Sequence, residues 1–434
     1  MKNTFIVSCP IDTYSGYGAR SRDFVKALIE SDKYDVQILS QRWGKTSEGF
    51  IKNNKEWGFL SKHIIPNLTS KPDYWCQITV PNEFQSVGSF NIGLTAGIET
   101  TICDGSWIEG CNRMNLVLTS SNHSKNTFLT STFYRNGDEK QVVELTTPIE
   151  VLMEGLNLEV YKKIKETDSF TNKDLYNEID NIPEDFAYLS VGHWMQGELG
   201  EDRKNIGLTI KAFYELFKNR KKAPALILKT CLVNGSIMDK SEMLRRIKII
   251  KDSIQDAKTL PKIYLLHGSF TDPEMNELYN HPKVKAMISL TKGEGFGRPL
   301  LEFSALDKPI ISTNWSGHLD FLNGEYTSLI GGELAQVHQS AAVKNIILLE
   351  SQWFKPKLED IGYAFNNVWE DYNSWVKRSK KQGKYSRKNF SFSEMKDQIE
   401  NIFSKHLTKL PKKMELNIGD IKMPKKPKSK LKIV

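Results

Sequence analysis

The sequence has no long hydrophobic run. A membrane-spanning helix needs roughly 18 uninterrupted apolar residues, and no segment of the 434-residue chain approaches that length. The apolar run in the opening "MKNTFIVSCPIDTYSGYG" is short and ends in a polar loop, so no secretion signal is expected. Cysteine is scarce and unpaired in spacing. There are five, Cys9, Cys76, Cys103, Cys111 and Cys231, with no C-x-x-C among them. That argues against a disulfide framework or a zinc site and fits reduced thiols in a cytosolic protein. No repeat of solenoid period is visible. The body also lacks any large excess of charge of one sign. The net charge is +8, but +6 of it lies in 410–434, where eight lysines stand against Glu415 and Asp420. Three prolines among those lysines give that tail the composition of a flexible basic arm.

What is present is alternation. "TFIVSCP" (4–10) reads as a strand, "IDTYSGYGARSRDF" as a glycine-bearing loop, and "ARSRDFVKALIES" as a helix with Phe24 and Leu28 on one face. "YDVQILS", "NIGLTAG", "NLVLTSS" and "IEVLMEG" continue the strands. A charged, weakly apolar stretch at 162–185 marks a boundary between lobes. Beyond it, "FAYLSVGHW", "PALILKTC", "KIYLLHG", "AMISLT" and "KPIISTN" read as strands. They alternate with helices, one of which places Ile206, Ile210, Phe213 and Phe217 on a single stripe. Another, "TDPEMNELYN", opens with a capping-box pattern at Thr271 and Glu274. Short, continuously apolar strands belong in parallel sheets covered on both faces. The expectation is α/β, two Rossmann-like doubly wound lobes facing a central cleft. The first lobe spans 1–165 and the second 166–385; a helix at 386–409 crosses back to the first lobe, and the basic tail occupies 410–434.

The densest stretch is "TKGEGFGRPLLEFSALDKPII" (291–311). Gly293, Gly295 and Gly297 alternate, as in a loop that brings backbone amides to an anion, yet Glu294 and Glu302 carry the wrong charge for phosphate. No Gly-Lys-Ser/Thr follows, so this is not a Walker loop. Proline at 299 marks the start of a helix. A turn followed by an acid in a helix's first turn accounts for the stretch equally well. So does a ligand that carries both phosphate, for the amides, and many hydroxyls, for the carboxylates. A nucleotide sugar is such a ligand.

Two glutamates separated by seven residues in "EGFGRPLLE", ahead of "DKPIISTNWSGHLDFL", resemble the signature of GT-B glycosyltransferases, specifically the retaining family 4 (glycosyl transferases group 1). "VGHWMQGELGEDRKNIGLTIKAF" is similar to that family's strand, loop and helix before the basic diphosphate-binding pair. "SFTDPEMNELYNHPKVKAMISLTKGEGFG" is similar to its nucleotide-side segment, and "NLVLTSSNHSKNTF" and "PIEVLMEGLNLEVY" to the end of its first lobe.

The resemblance implies roles. Glu294 would contact the donor sugar near the reacting carbon and Glu302 the ribose, while the amides of Gly295, Phe296 and Gly297 line sugar and phosphate. Lys204, with Arg203 beside it, would neutralise the diphosphate leaving group; fixed cations do this without a metal. No Asp-x-Asp pair is present, so neither metal nor cofactor is expected. Cations at 203 and 204 oppose the dipole of the helix they precede, which disfavours a merely solvated terminus.

The family often has arginine where His193 stands. Either Arg203 substitutes, or His193 is protonated when donor binds. Lys229, ending a strand, is a further cleft cation. In the first lobe, Gly16 and Gly18 would approach the donor phosphates, and Arg20 would face the cleft unless "SGYGAR" is only a tight turn. Glu99 and His123 are candidates for the sugar or acceptor side, His123 equally for packing.

The implied activity is a retaining hexosyl or pentosyl transfer from a nucleotide-sugar donor to an acceptor hydroxyl. The acceptor stays open between a glycan, a lipid and a hydroxylated base of DNA. The basic tail and "VKRSKKQGKYSRKNF" would place a cytosolic enzyme on an anionic membrane or on DNA. The rivals are a GT-B epimerase or phosphorylase and a non-catalytic nucleic-acid-binding α/β protein.

Overall fold

A computed structural model describes residues 2–135, 141–165, 171–232 and 237–407. It contains two six-stranded, wholly parallel sheets. The first runs Tyr34–Ser40, Asn3–Cys9, Tyr74–Ile78, Phe90–Thr95, Leu116–Thr119, Ile149–Val151 in spatial order. The second runs Ile263–Leu266, Ala225–Cys231, Ala187–His193, Val284–Ser289, Ile310–Thr313, Ser328–Ile330. The doubly wound α/β architecture read from the sequence is the one observed.

The period-two geometry of a strand explains why both faces are apolar. Phe5 and Val7 point to one side of the first sheet, among Phe24, Leu28, Met395 and Phe403. Ile6 points to the other, among Trp75, Trp107, Val117 and Phe128. In the second sheet, Leu189, Ile227 and Met287 pack with Leu300 and Phe303. Tyr188, Leu226 and Ile288 pack on the opposite face with Ile206, Ile210, Phe213 and Phe217. The helical stripe read from spacing is thus the buried face of Ile206–Phe217.

The order of winding positions the functional loops. In the second sheet the chain starts at Ala187–His193, moves outward through Ala225–Cys231 to Ile263–Leu266, then returns to the other side at Val284–Ser289. The loops after His193 and Ser289 therefore diverge, and leave a crevice at the carboxyl ends of neighbouring strands. These loops carry Arg203, Lys204 and the glycines at 293, 295 and 297.

Sequence spacing missed some elements. Tyr74–Ile78 is central and buried at all five positions, but it follows "KPD" and is not among the strands read from the sequence. An antiparallel pair, Gly332–Gln336 with Gln352–Pro356, also lacks a clear alternation.

Between the lobes the chain crosses twice, side by side. The Leu156 amide donates to Phe390 O (2.8 Å) and the Phe392 amide to Leu156 O (2.9 Å). A Cβ on Gly155 would lie 2.8 Å from the Phe392 Cα, so the crossings approach too closely for a side chain. The helix Phe392–His406 then lays Met395, Ile399, Ile402 and Phe403 into the first lobe's core. The basic stretch expected at an anionic surface forms the helix Tyr372–Asn389. The tail at 410–434 lies outside the described residues, as does 166–170, where the sequence sets the start of the second lobe. No helix among the described residues is long and apolar enough to cross a membrane.

Candidate functional site

The glycine loop links the strand Val284–Ser289 to the helix Arg298–Ser304. Gly297 closes it at φ +100°, a left-handed conformation that side chains disfavour. A neighbouring loop clamps it: the Glu294 amide donates to Ser316 Oγ (2.9 Å) and the Gly317 amide to Glu294 O (3.0 Å). No hydrogen bond among the described residues takes up the amides of Gly295, Phe296 and Gly297. Buried amides need partners, so these three are donors available to an anion or a hydroxyl.

The cations arrive on the loop after Ala187–His193, which local bonds fix. Asp202 Oδ2 accepts the Ile206 amide (3.2 Å) at the start of the following helix. Asn205, at φ 52°, donates from Nδ2 to Leu290 O (2.7 Å). Lys292 lies beneath, its ammonium 3.0 Å from Glu201 Oε2 and 5.1 Å from the Trp353 ring centroid, while its amide donates to Arg203 O (2.7 Å).

The result is a tight charge cluster. Lys204 Nζ donates to Glu294 Oε1. Arg203 Nη1 donates to Gly293 O (3.0 Å) and lies 3.4 Å from Glu99 Oε1 and 3.7 Å from Glu294 Oε2. Burial opposes ionisation of Glu294, but Lys204 and then Arg203 outweigh it and pull its pKa down to about 2. Burial likewise lowers the pKa of Lys204, against the pull of Glu294. Glu294 is therefore a fixed anion and hydrogen-bond acceptor rather than a proton carrier.

Glu302 is the opposite case. It is buried, accepts from Arg298 Nε (3.0 Å) and Tyr279 Oη (3.1 Å), and burial raises its pKa to about 7 against the pull of Arg298.

The other sequence candidates divide. Glu99 joins the cluster from the first lobe through Arg203. His193 is open to solvent on one side, its Nδ1 3.3 Å from Cys231 Sγ. Partial desolvation, then Lys204, Lys229 and Arg203, lower its pKa. These cations favour neutral imidazole until a bound anion offsets them. Lys229 donates to Gly268 O (2.6 Å) and sits over the Phe270 ring. His123 meets Trp315 of the second lobe edge-on at 4.6 Å, and burial, then His318, push its pKa down to about 4. Its place is a packed interlobe contact.

Gly16 is exposed, with open space where a Cβ would stand, whereas Gly18 has the Thr13 carbonyl oxygen 2.3 Å from that position. Arg20 does not reach the cleft. It is buried and donates to Met153 O (2.7 Å) and Leu152 O, beneath the lobe crossing. Sequence reading missed Arg298, Lys292 and His318. The last is buried below Gly297, its Nε2 2.7 Å from Thr313 O and its Nδ1 without a partner among the described residues. "NWSGH", within the quoted motif, is the signal that would have marked it.

A concavity of about 800 Å³ lined by Arg220, Lys221, Lys222, Lys258, Lys262 and Trp369 lies at the amino ends of the second sheet's strands and holds none of these residues. Among the described residues, no group of three or more His, Cys, Asp or Glu side chains is placed to hold a metal ion.

No family model and no curated sequence matches the chain. Solved structures do. A glycosyltransferase from Rickettsia africae ESF-5 superposes with a TM-score of 0.61 at 16% identity, covering 94% of this chain and all of the other. Anabaena Alr3699/HepE, solved in complex with UDP-glucose, gives 0.58 at 12% identity over 93% of this chain and 100% of that one. Sucrose-phosphate synthase from Thermosynechococcus elongatus gives 0.58 at 10% identity over 93% and 99%. At these identities the likeness defines the fold: the chain has the GT-B architecture, two Rossmann-like lobes facing across a cleft.

Proposed function

We propose that the chain is a retaining, metal-independent glycosyltransferase that moves a sugar from a nucleoside-diphosphate donor to an acceptor hydroxyl. One observation carries the reading. At the switch point of the second sheet, one loop sets Lys204 and Arg203 against Glu294, beside three amides that have no partner among the described residues. Such a site serves both halves of a nucleotide sugar.

In this reading Lys204, Arg203 and the amides of Gly295, Phe296 and Gly297 take the charge that grows on the departing diphosphate. Glu294, ionised at any working pH, accepts hydrogen bonds from the sugar hydroxyls, and Glu302 accepts from the ribose. The bond from the anomeric carbon to the diphosphate oxygen breaks as the bond to the acceptor oxygen forms on the same face. The acceptor's proton passes to the departing phosphate oxygen, so configuration is retained without a dedicated base. The lobes, touching through Glu99 and Arg203, exclude water from the donor. UDP-sugars are the first donors to test, because two superposing structures were solved with UDP-glucose or UDP-2-fluoro glucose.

The acceptor is a glycan, a lipid or a hydroxylated base of DNA. An anionic acceptor or surface is favoured by the helix Tyr372–Asn389, which carries seven lysines and arginines and no acid. The enzyme would then work in the cytoplasm, at a membrane face or on DNA.

Calorimetry with a panel of nucleoside diphosphates, followed by a donor-hydrolysis screen, tests the reading. At least one diphosphate should bind, and Lys204→Met should weaken that binding. A wild-type chain that binds none is a scaffold, not a transferase.

A further inference from the structure

Arg298 opens the helix that follows the glycine loop, and its guanidinium works in two directions. Nε donates to Glu302 Oε1 at 3.0 Å, one turn along the same helix. Nη1 crosses between the lobes to Asp23 Oδ2 at 2.6 Å and lies 3.7 Å from Glu154 Oε2. Asp23 belongs to the first helix of the first lobe, Gly16–Ser31. Glu154 immediately precedes Gly155, where the chain crosses between lobes. The three carboxylates are 4%, 7% and 6% exposed for Asp23, Glu154 and Glu302. One cation therefore serves three buried acids, two of them from the opposite lobe.

In this arrangement of the lobes, Asp23 and Glu154 stand opposite Glu302 across the guanidinium. Without a cation between them, three buried carboxylates would face one another, and unpaired buried charge is strongly unfavourable. Arg20 also weighs on Glu154, more strongly than Arg298 does, but its hydrogen bonds go to the carbonyls of Leu152 and Met153 within its own lobe, so it does not tie the first lobe's acids to Glu302. Arginine suits the junction because its planar fork donates along separate edges at once, which an ammonium on a single stem does not do. Tyr279 Oη holds the other oxygen of Glu302 at 3.1 Å, so the plane of that carboxylate follows the position of Arg298.

We propose that Arg298 is a positioning residue that couples closure of the two lobes to the orientation of Glu302, fixing that carboxylate for the donor only when Asp23 and Glu154 hold the far side of the guanidinium. The inference rests on the reading of Glu302 as the ribose ligand. With the lobes apart, Arg298 keeps one of its three acids and Glu302 loses its fixed plane. Donor binding and closure then reinforce each other through one side chain.

The test uses the full chain and two measurements. Small-angle scattering without ligand reports lobe closure. Arg298→Met should enlarge the radius of gyration, and adding Asp23→Asn and Glu154→Gln to it should restore the compact value, because the repelling charges are gone. Arg298→Lys should fall between and serves if Arg298→Met fails to fold. Steady-state kinetics with UDP-glucose reports Glu302. Arg298→Met should raise donor KM roughly tenfold, within the usual range of coupling between sites, and should add little to the effect of Glu302→Gln.

A folded Arg298→Met or Arg298→Lys variant as compact as wild type overturns the proposal. So does expansion that neutralising Asp23 and Glu154 leaves unchanged, since a merely structural arginine would behave that way. If wild type turns over no UDP-glucose, the functional reading fails for that donor, while scattering still decides the latch.

Discussion

Gly293 and Glu99 meet backbone to backbone across the two lobes. A Cβ on Gly293 would lie 2.0 Å from the Glu99 carbonyl oxygen, and one on Gly295 would lie 2.3 Å from that of Ala96. Two of the three alternating glycines are thus required by the approach of the opposite lobe. Gly297, with φ +100°, is the one required by its own backbone conformation.

Gly293→Ala should therefore hold the lobes apart without damaging either core. We expect a melting temperature close to wild type, a marked loss of transfer, and a higher ratio of donor hydrolysis to transfer, because an open cleft admits water. Product analysis by mass spectrometry, read beside a melting curve, checks this.

Glu294→Ala should abolish detectable transfer, a loss of about 10³-fold or more by analogy with removal of one fixed transition-state contact. The chain should stay folded. With its pKa held at about 2, Glu294 should also leave no titration in the rate between pH 4 and 8. An acid limb in that range that vanishes in Glu294→Gln would show a proton-carrying role instead.

Lys204→Met should raise donor KM and lower kcat together, since the ammonium serves the diphosphate in both the bound donor and the departing leaving group. Lys204→Arg should not rescue fully: a half-buried, point-like ammonium on Glu294 is replaced by a wider fork. Wild-type activity in both variants would remove Lys204 from the site.

His123 gives a pH dependence of known sign. Its folded pKa is pushed down to about 4 from 6.5, by burial first and His318 second. The unfolded chain then binds the extra proton between those values, so stability falls as pH drops from about 6.5 toward 4. His123→Phe keeps an aromatic against Trp315 and removes the titration. Wild type should lose more melting temperature than the variant between pH 7 and pH 5; parallel curves would contradict the assignment.

The sequence made much of this legible. Apolar runs without alternation announced parallel sheets, and the stripe Ile206, Ile210, Phe213, Phe217 is a buried helix face. "EGFGRPLLE" marked the loop, and Lys204 meets Glu294 although 90 positions separate them. Arg20 shows the limit. Its place beside a glycine turn pointed to the cleft, but helix phase turns it inward to the carbonyls of Leu152 and Met153. Tyr74–Ile78 shows another: a central strand rich in aromatics and flanked by lysine and proline has no periodic signal of its own.

The sequence by itself determined the class of fold and the residue types at the cleft, because strand length, helical stripe and glycine placement are local properties. The tertiary structure decided which charges are shared between lobes. Arg203 with Glu99, and Arg298 with Asp23 and Glu154, are pairs that depend on how two sheets face each other. Coulomb energy depends on distance and burial, and neither is written along the chain.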